Sequence, residues 1–337
     1  MAVLLTLIHR NMTAYKVSVI VPIYSVQMFI ERCAKSLLSQ TLKEIEFIFV
    51  NDASPDNSMK ILRNVISRYP KRNIIILEHE HNKGLPAARN TGLSIASGEY
   101  IFHCDSDDFV EPDMLLTMYE KAKQTDADIV WSDWYLTFKQ NERYMKEPSY
   151  ATPYEALRGI LSGTMKFNVW NKLVKHRLYT DNKIYFPSGH AMGEDMTMIC
   201  LIGCAKSVSY IPRAFYHYVR TNTNAYTQTV NSKALQDIRY NVNKVLTFLK
   251  DKTCPIKSEE INFFKLNVKL PFLISDDKIQ YKLWEEWYPE ANKYIMLNNE
   301  LPFRTRLLQW MAWHKQFWFA HLYYKLFIKL RYGIIYK

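Results

Sequence analysis

The run IFHCDSDDFV at residues 101–110 turns from apolar to acidic partway along and places Asp105, Asp107 and Asp108 within a single turn. Carboxylates this close repel, and crowding them costs free energy unless a cation or hydrogen-bond donors sit among them. Asp105-Ser106-Asp107 is a D-x-D arrangement. Hard divalent cations such as Mn2+ or Mg2+ take oxygen ligands, commonly one or two carboxylates completed by substrate phosphates. An acidic surface turn reads the same way in isolation, so the chemistry depends on where the turn sits. Asp108, last of the three, is expected to cap or order the turn.

Other residues raise similar alternatives. Asp52 in VNDASPDNS either caps backbone amides in a turn or presents its carboxylate to a ligand. Arg89 follows Pro86 near the positive end of a helix dipole, where a cation is unfavourable unless an anion lies nearby. A solvent-facing arginine is the alternative. Glu194 and Asp195 open a later helix, where acids are favourable caps. His217, in the aromatic stretch YHYVR, is either a packed core residue or an additional metal ligand. Cys200 and Cys204 share a helical spacing, but zinc needs about four ligands and no partner pair is present.

These residues need a scaffold, and the hydrophobic pattern supplies one. Apolar, β-branched runs at 16–24, 44–52, 73–80, 99–105 and 127–134 read as buried strands. Segments at 26–40, 57–69 and 84–97, and another starting near Pro112, have helical periodicity. Strands alternating with helices over short loops imply an α/β class with a mostly parallel sheet flanked by helices. In such sheets ligands sit at the carboxyl ends of strands, where strand order reverses. Tyr24, Asp52 and Asp105 each end a strand, where that rule expects functional groups. Past residue 140 the pattern loosens: helices are expected at 152–163 and 194–207, a strand at 208–220, and mostly helix beyond 231.

Composition narrows the classes further. At 337 residues, with 48% hydrophobic and 23% charged residues, the chain is neither disordered nor fibrous. Its five cysteines are scattered without a framework, as in reduced cytosolic proteins. No G-x-G-x-x-G follows the first strand and no P-loop occurs, which disfavours a nicotinamide-type dinucleotide fold and a P-loop NTPase. The segment MAVLLTLIHRNMTAYK carries its basic residues after its apolar ones, the wrong order for a signal peptide. It reads as a lead-in over residues 1–15, with Met12 an alternative start. The net charge of +11 is concentrated toward the end, where residues 304–337 hold seven Lys or Arg, no acid, and many aromatics. Such a segment suits an anionic membrane surface. Packing of its aromatics on the rest of the chain is the alternative, and nucleic acid is disfavoured.

Taken together, VSVIVPIYSVQMFIERCAKSLLSQTLKEIEFIFVNDASPDNS, HNKGLPAARNTGLSIASGEYIFHCDSDDF, VWNKL and GED occur in the order seen in glycosyltransferase family 2, which the chain resembles over about residues 16–220. The resemblance implies a GT-A fold, a nucleotide-sugar donor and inversion at the anomeric carbon. It implies that Pro22 and Tyr24 line the base pocket and that Asp52 hydrogen-bonds the base. Gly84 and Arg89 would lie beside the nucleotide. Asp105 would sit near the ribose and Asp107 on the metal. Asp195 matches the catalytic base, with Glu194 the fallback. Ser25 departs from the asparagine common at that position. Trp170, Asn171 and Lys172 are expected to brace the acceptor side, and His217 and Arg220 to close over the donor.

The expectations are a GT-A catalytic domain over 16–230 and a helical C-terminal region over 231–337 ending in the basic aromatic tail. The implied activity is metal-dependent transfer from a UDP-sugar to a saccharide or lipid-linked saccharide in surface polysaccharide or glycolipid assembly. Mn2+ or Mg2+ would assist, and the enzyme would be cytoplasmic, peripheral on the inner face of the cell membrane. A sugar nucleotidyltransferase also uses carboxylates and metal on an α/β sheet, but its usual Gly-rich basic N-terminal loop is missing. A nucleic-acid-binding protein would explain the charge but not the ordered acids at strand ends.

Overall fold

The computed structural model describes residues 15–191, 193–221, 232–251 and 256–330. The chain begins with alternating strands and helices: β1 (Val17–Ile23), α1 (Ile30–Leu38), β2 (Ile45–Asn51), α2 (Ser58–Ile66), β3 (Asn73–Glu78), α3 (Leu85–Ile95) and β4 (Tyr100–His103). There follow β5 (Phe109–Val110), α4 (Met114–Thr125), β6 (Ile129–Thr137), β7 (Glu142–Met145), α5 (Pro153–Ser162), β8 (Lys172–Lys175), α6 (His176–Asp181), α7 (Glu194–Cys204) and β9 (Val208–Val219). Beyond β9 the described elements are helical: α8 (Ser232–Asp251), α9 (Ser258–Lys269), α10 (Lys278–Glu286), α11 (Phe303–Trp313), α12 (Phe317–Tyr323) and a wider π turn (Tyr324–Lys329).

One sheet runs in the order β3-β2-β1-β4-β8-β6-β9-β5, with β7 added to β6. The first four strands are parallel, as expected. From β8 onward the sheet is mixed, since β8 runs antiparallel to both β4 and β6. The chain lays β2 and β3 on one side of β1 and then returns to place β4 on the other. The strand order therefore reverses between β1 and β4, which opens a crevice beyond their carboxyl ends.

Side-chain alternation along the central strands separates two cores. Val17, Val19, Val21 and Ile23 of β1 join Phe47, Phe49, Tyr100 and Phe102 against α1, α2 and α4. Ile20, Ile48, Val50 and Ile101 point the other way, toward Leu157 and Ile160 of α5, Met198 and Ile202 of α7, and Val242 and Val245 of α8. This period of two is what a strand covered on both faces requires. A third apolar cluster, including Leu273, Trp284, Trp287, Ile295, Leu308 and Ala320, lies among the C-terminal helices. Helix α8, beyond the expected division at 230/231, packs on α7 and joins the second core through Val242, Val245 and Leu249.

Candidate active site

The crevice starts where β4 stops. The carbonyl of Ile20 accepts from Cys104 N–H at 3.0 Å, and that of Ile23 from Asp52 N–H at 3.0 Å. By strand parity Pro22 faces the β4 side, past the last pair Ile20↔His103. Its missing N–H therefore interrupts no pairing. Half-exposed Tyr24 follows, and then Ser25 in the left-handed region at φ 54°. Asparagine tolerates that conformation better than most residues.

The VNDASPDNS turn holds this exit loop by its backbone. Ser25, Val26 and Gln27 N–H donate in succession to Ser54 Oγ, Ser58 Oγ and Asp56 Oδ2 at 2.9, 3.1 and 2.9 Å. Asp52 itself is buried and its carboxylate does cap amides: Lys83 N–H donates to Oδ1 and Gly84 N–H to Oδ2, each at 2.8 Å. His79 Nδ1 lies 2.6 Å from Oδ1, and His79 Nε2 lies 2.9 Å from Thr91 Oγ1. Gly84 adopts φ +86°, which a side chain would strain although the nearest atom to an added Cβ is 3.9 Å away. Asp52 and Gly84, expected to share the nucleotide, are thus in direct contact.

At the end of β4, Arg89 Nη2 donates to Asp105 Oδ1 at 2.7 Å, and the guanidinium lies 5.4 Å from the Phe186 ring centre. The anion expected near Arg89 is therefore in part the protein's own. Arg89 is only 1% exposed and meets the crevice through the partly exposed Asp105 carboxylate. His103, behind the pair, is fully buried among Tyr179 and Phe186. Burial, aided by the Arg89 charge, pushes its pKa well below the usual value, so the ring stays neutral.

The three acids separate by environment. Asp108 is buried, with Tyr216 O–H donating to Oδ2 and Val219 N–H to Oδ1, both at 2.7 Å. The Tyr216 hydroxyl also accepts from Asp105 N–H at 3.1 Å. Burial, with Asp107 and Asp105 nearby, raises the Asp108 pKa well above the carboxylate range. Asp108 thus orders the turn against β9. Asp105 and Asp107 stay partly exposed at the crevice. Among the described residues, no group of three or more His, Cys, Asp or Glu is arranged as a metal cage.

His217 is not aimed at that turn as a ligand. Its Nδ1 lies 2.7 Å from Glu142 Oε1 and its Nε2 2.9 Å from Glu111 Oε1, while its ring stacks on Phe109 and Tyr135. Both ring nitrogens lie within hydrogen-bond distance of carboxylates, from Glu142 and Glu111. Trp170, Asn171 and Lys172 are likewise buried. Trp170 stacks on Tyr216 and Tyr218, and Lys172 Nζ donates to the carbonyls of Lys166 and Asn168. They brace the sheet from within.

Glu194 and Asp195 open α7, with Gly193 as its N-cap. Their side chains lie outside the described residues. The loop before them is tied to α3 by Asn90, whose Oδ1 accepts from Phe186 N–H at 2.9 Å. Asn90 Nδ2 donates to the Phe186 carbonyl at 2.8 Å and to Ser188 Oγ at 3.0 Å. Asn90, His79, Thr91 and Asp56 were not singled out by sequence reasoning. His79 carries the signal that marked Asp52, a polar residue just past a strand's carboxyl end.

Residues 18–196 match the family described as glycosyl transferase family 2. Over 229 residues the chain is 32% identical to the uncharacterized glycosyltransferase EpsJ of Bacillus subtilis, covering 66% of this chain and 65% of that protein. The match thus spans slightly under two thirds of that relative. It is 30% identical over 300 residues to the cholesterol galactosyltransferase of Borreliella burgdorferi, covering 81% of each. The solved structure of Staphylococcus aureus TarS 1-349 in complex with UDP-GlcNAc superposes with a TM-score of 0.65 at 20% identity, over 92% of this chain and 91% of that one. The expected GT-A architecture is the one adopted, and the chain belongs to glycosyl transferase family 2.

Proposed function

We propose that the chain is an inverting glycosyltransferase that moves a sugar from a UDP-sugar to a saccharide or lipid-linked saccharide acceptor, in surface polysaccharide or glycolipid assembly. The observation that carries this reading is the Arg89–Asp105 pair at the β1/β4 crevice, which fixes one carboxylate of the D-x-D turn while Asp107 stays accessible beside it. Support also comes from TarS, whose structure holds UDP-GlcNAc, and from a relative named for galactosyl transfer to cholesterol.

The roles follow from position. Asp52 and the Lys83–Gly84 loop form the base end of the donor site, with Tyr24 at its edge. Asp105, oriented by Arg89, faces the ribose. Two hard carboxylates without a complete protein cage suit a divalent ion whose remaining ligands are substrate phosphates, so Asp107 would hold Mn2+ or Mg2+. When bound, that ion would offset charge on the departing diphosphate. Asp195 takes the proton of the acceptor hydroxyl as it attacks the opposite face of the sugar, with Glu194 the alternative base. Thermal-shift measurement against nucleotide sugars with Mn2+ tests the donor class: stabilisation by UDP-sugars supports it, and stabilisation by none contradicts it.

The C-terminal tail gives this enzyme a place to work. Leu308, Ala312 and Ala320 pack inward, and Phe317 stacks on Tyr281. Trp318, Leu322, Leu326 and Leu330 recur every four residues on α12 and the π turn and are between 44% and 60% exposed. Exposed Lys325 and Lys329 flank them. An apolar stripe rimmed by lysines fits an anionic membrane surface. No described helix is long and apolar enough to cross a membrane. Contact at the inner face would bring the enzyme to a lipid-linked acceptor. Residues 331–337 of the tail lie outside the described residues.

A further inference from the structure

The loop between Phe186 and α7 is gripped from two sides. Asn90 holds its first residues from α3, as described above. From α8, Asp237 and Asn241 reach the same loop one helical turn apart and occupy both backbone groups of Ala191. Ala191 N–H donates to Asp237 Oδ2 at 3.1 Å, and Asn241 Nδ2 donates to the Ala191 carbonyl at 2.9 Å. Asp237 Oδ1 lies 3.0 Å from His190 Nδ1, and the His190 ring stacks at 3.7 Å on Tyr240 of the same helix. Asp237 is 3% exposed and Asn241 is fully buried.

Burying polar groups is costly unless they are hydrogen-bonded, and simple packing would be served by apolar residues. Helix α8 uses Val242, Val245 and Leu249 for packing. Its two buried polar side chains converge instead on one residue, Ala191, four positions before Asp195. Gly193, the N-cap of α7, packs closely on the same loop: a Cβ there would lie 2.0 Å from Pro187 Cγ. The hydrogen bonds at Ala191 and the close packing of Gly193 on Pro187 thus both hold this loop where α7 begins.

We propose that Asp237 and Asn241 are positioning residues for the general base, so that α8 of the C-terminal region completes the active site. The proposal rests on the reading of Asp195 as that base. It is tested in the full chain by following UDP release from UDP-sugars, UDP affinity and amide exchange at Ala191. Small displacements of a reacting group cost up to about 100-fold in rate, so Asn241→Ala and Asp237→Ala should lower kcat by ~10–100-fold. UDP affinity should stay near wild type while the Ala191 amide exchanges faster. Asp237→Asn keeps an oxygen for Ala191 N–H and should recover most of the lost kcat, which a general loss of folding would not allow. Asn241→Ala removes one hydrogen bond and carries the test if Asp237→Ala does not fold. Wild-type kcat in these variants, with Asp195→Asn inactive, would overturn the proposal and leave the base in place. Wild-type turnover by Asp195→Asn would remove the base, and this proposal with it.

Discussion

The side-chain amide of Asn90 takes up both backbone groups of Phe186, accepting from its N–H at 2.9 Å and donating to its carbonyl at 2.8 Å. The preceding residue, Arg89, holds Asp105 at 2.7 Å. Two consecutive positions on α3 therefore tie the acidic turn after β4 to the loop that leads into α7. The acidic turn and the loop before α7 are thus anchored on the same stretch of α3.

Asn90→Ala leaves two partly buried backbone groups without their partner. Unmet hydrogen bonds of this kind cost ~1–3 kcal/mol each, so equilibrium denaturation should show a loss of roughly 2–6 kcal/mol for the two. Transfer should fall further than UDP affinity, because the loop moves and the nucleotide end does not. Equal losses in both would argue against a link to α7.

Arg89→Met leaves the Asp105 carboxylate without its cationic partner. Breaking a buried ion pair costs about 3–5 kcal/mol, and the partial exposure of Asp105 should hold the loss to the lower end of that range. UDP binding, measured by calorimetry, should weaken as Asp105 loses its orientation. Unchanged affinity would separate Asp105 from the donor site.

Gly84→Ala tests the base end. There is space for the methyl group, so the penalty comes from φ +86° alone. Left-handed backbone costs an L-residue roughly 1–2 kcal/mol. The hydrogen bond from Gly84 N–H to Asp52 should loosen, and UDP affinity should fall about as much as the strain implies. A variant with full affinity would show that this loop does not shape the nucleotide pocket.

Much of this arrangement was legible because buried parallel strands announce themselves as apolar runs. The runs containing β1, β2, β3 and β4 were therefore found, and with them the acids at their ends. Strand β8 was hidden because its four residues include two lysines, and the buried Lys172 ammonium donates to oxygens of Lys166, Asn168 and Asn171 that no local pattern reveals. The partners of Arg89 and His217 were not legible for a related reason. Their partners Asp105, Glu111 and Glu142 come from distant positions, and no local pattern shows which charges a fold will pair. The Asp237–Ala191 contact, 46 residues apart, is of the same kind.

The exposed stripe makes a separate prediction. Trp318→Asp combined with Leu322→Asp alters side chains on the outer face of α12 and leaves Phe317 and Ala320 in the core. Burying a large apolar side chain is worth ~1.5–3 kcal/mol, so flotation with phosphatidylglycerol-containing liposomes should drop by at least tenfold. Flotation equal to wild type would exclude this face as the membrane contact.

On the function proposed above, the acidic turn beyond β4 works with a divalent cation on a UDP-sugar. The direct measurement is UDP release from UDP-sugars by the wild type with Mn2+, by the wild type in EDTA, and by Asp107→Ala with Mn2+. Losing electrostatic stabilisation of a leaving group typically costs ~100–1,000-fold, and a drop of that size is expected both with chelator and in the variant. Full turnover under both conditions would contradict the account.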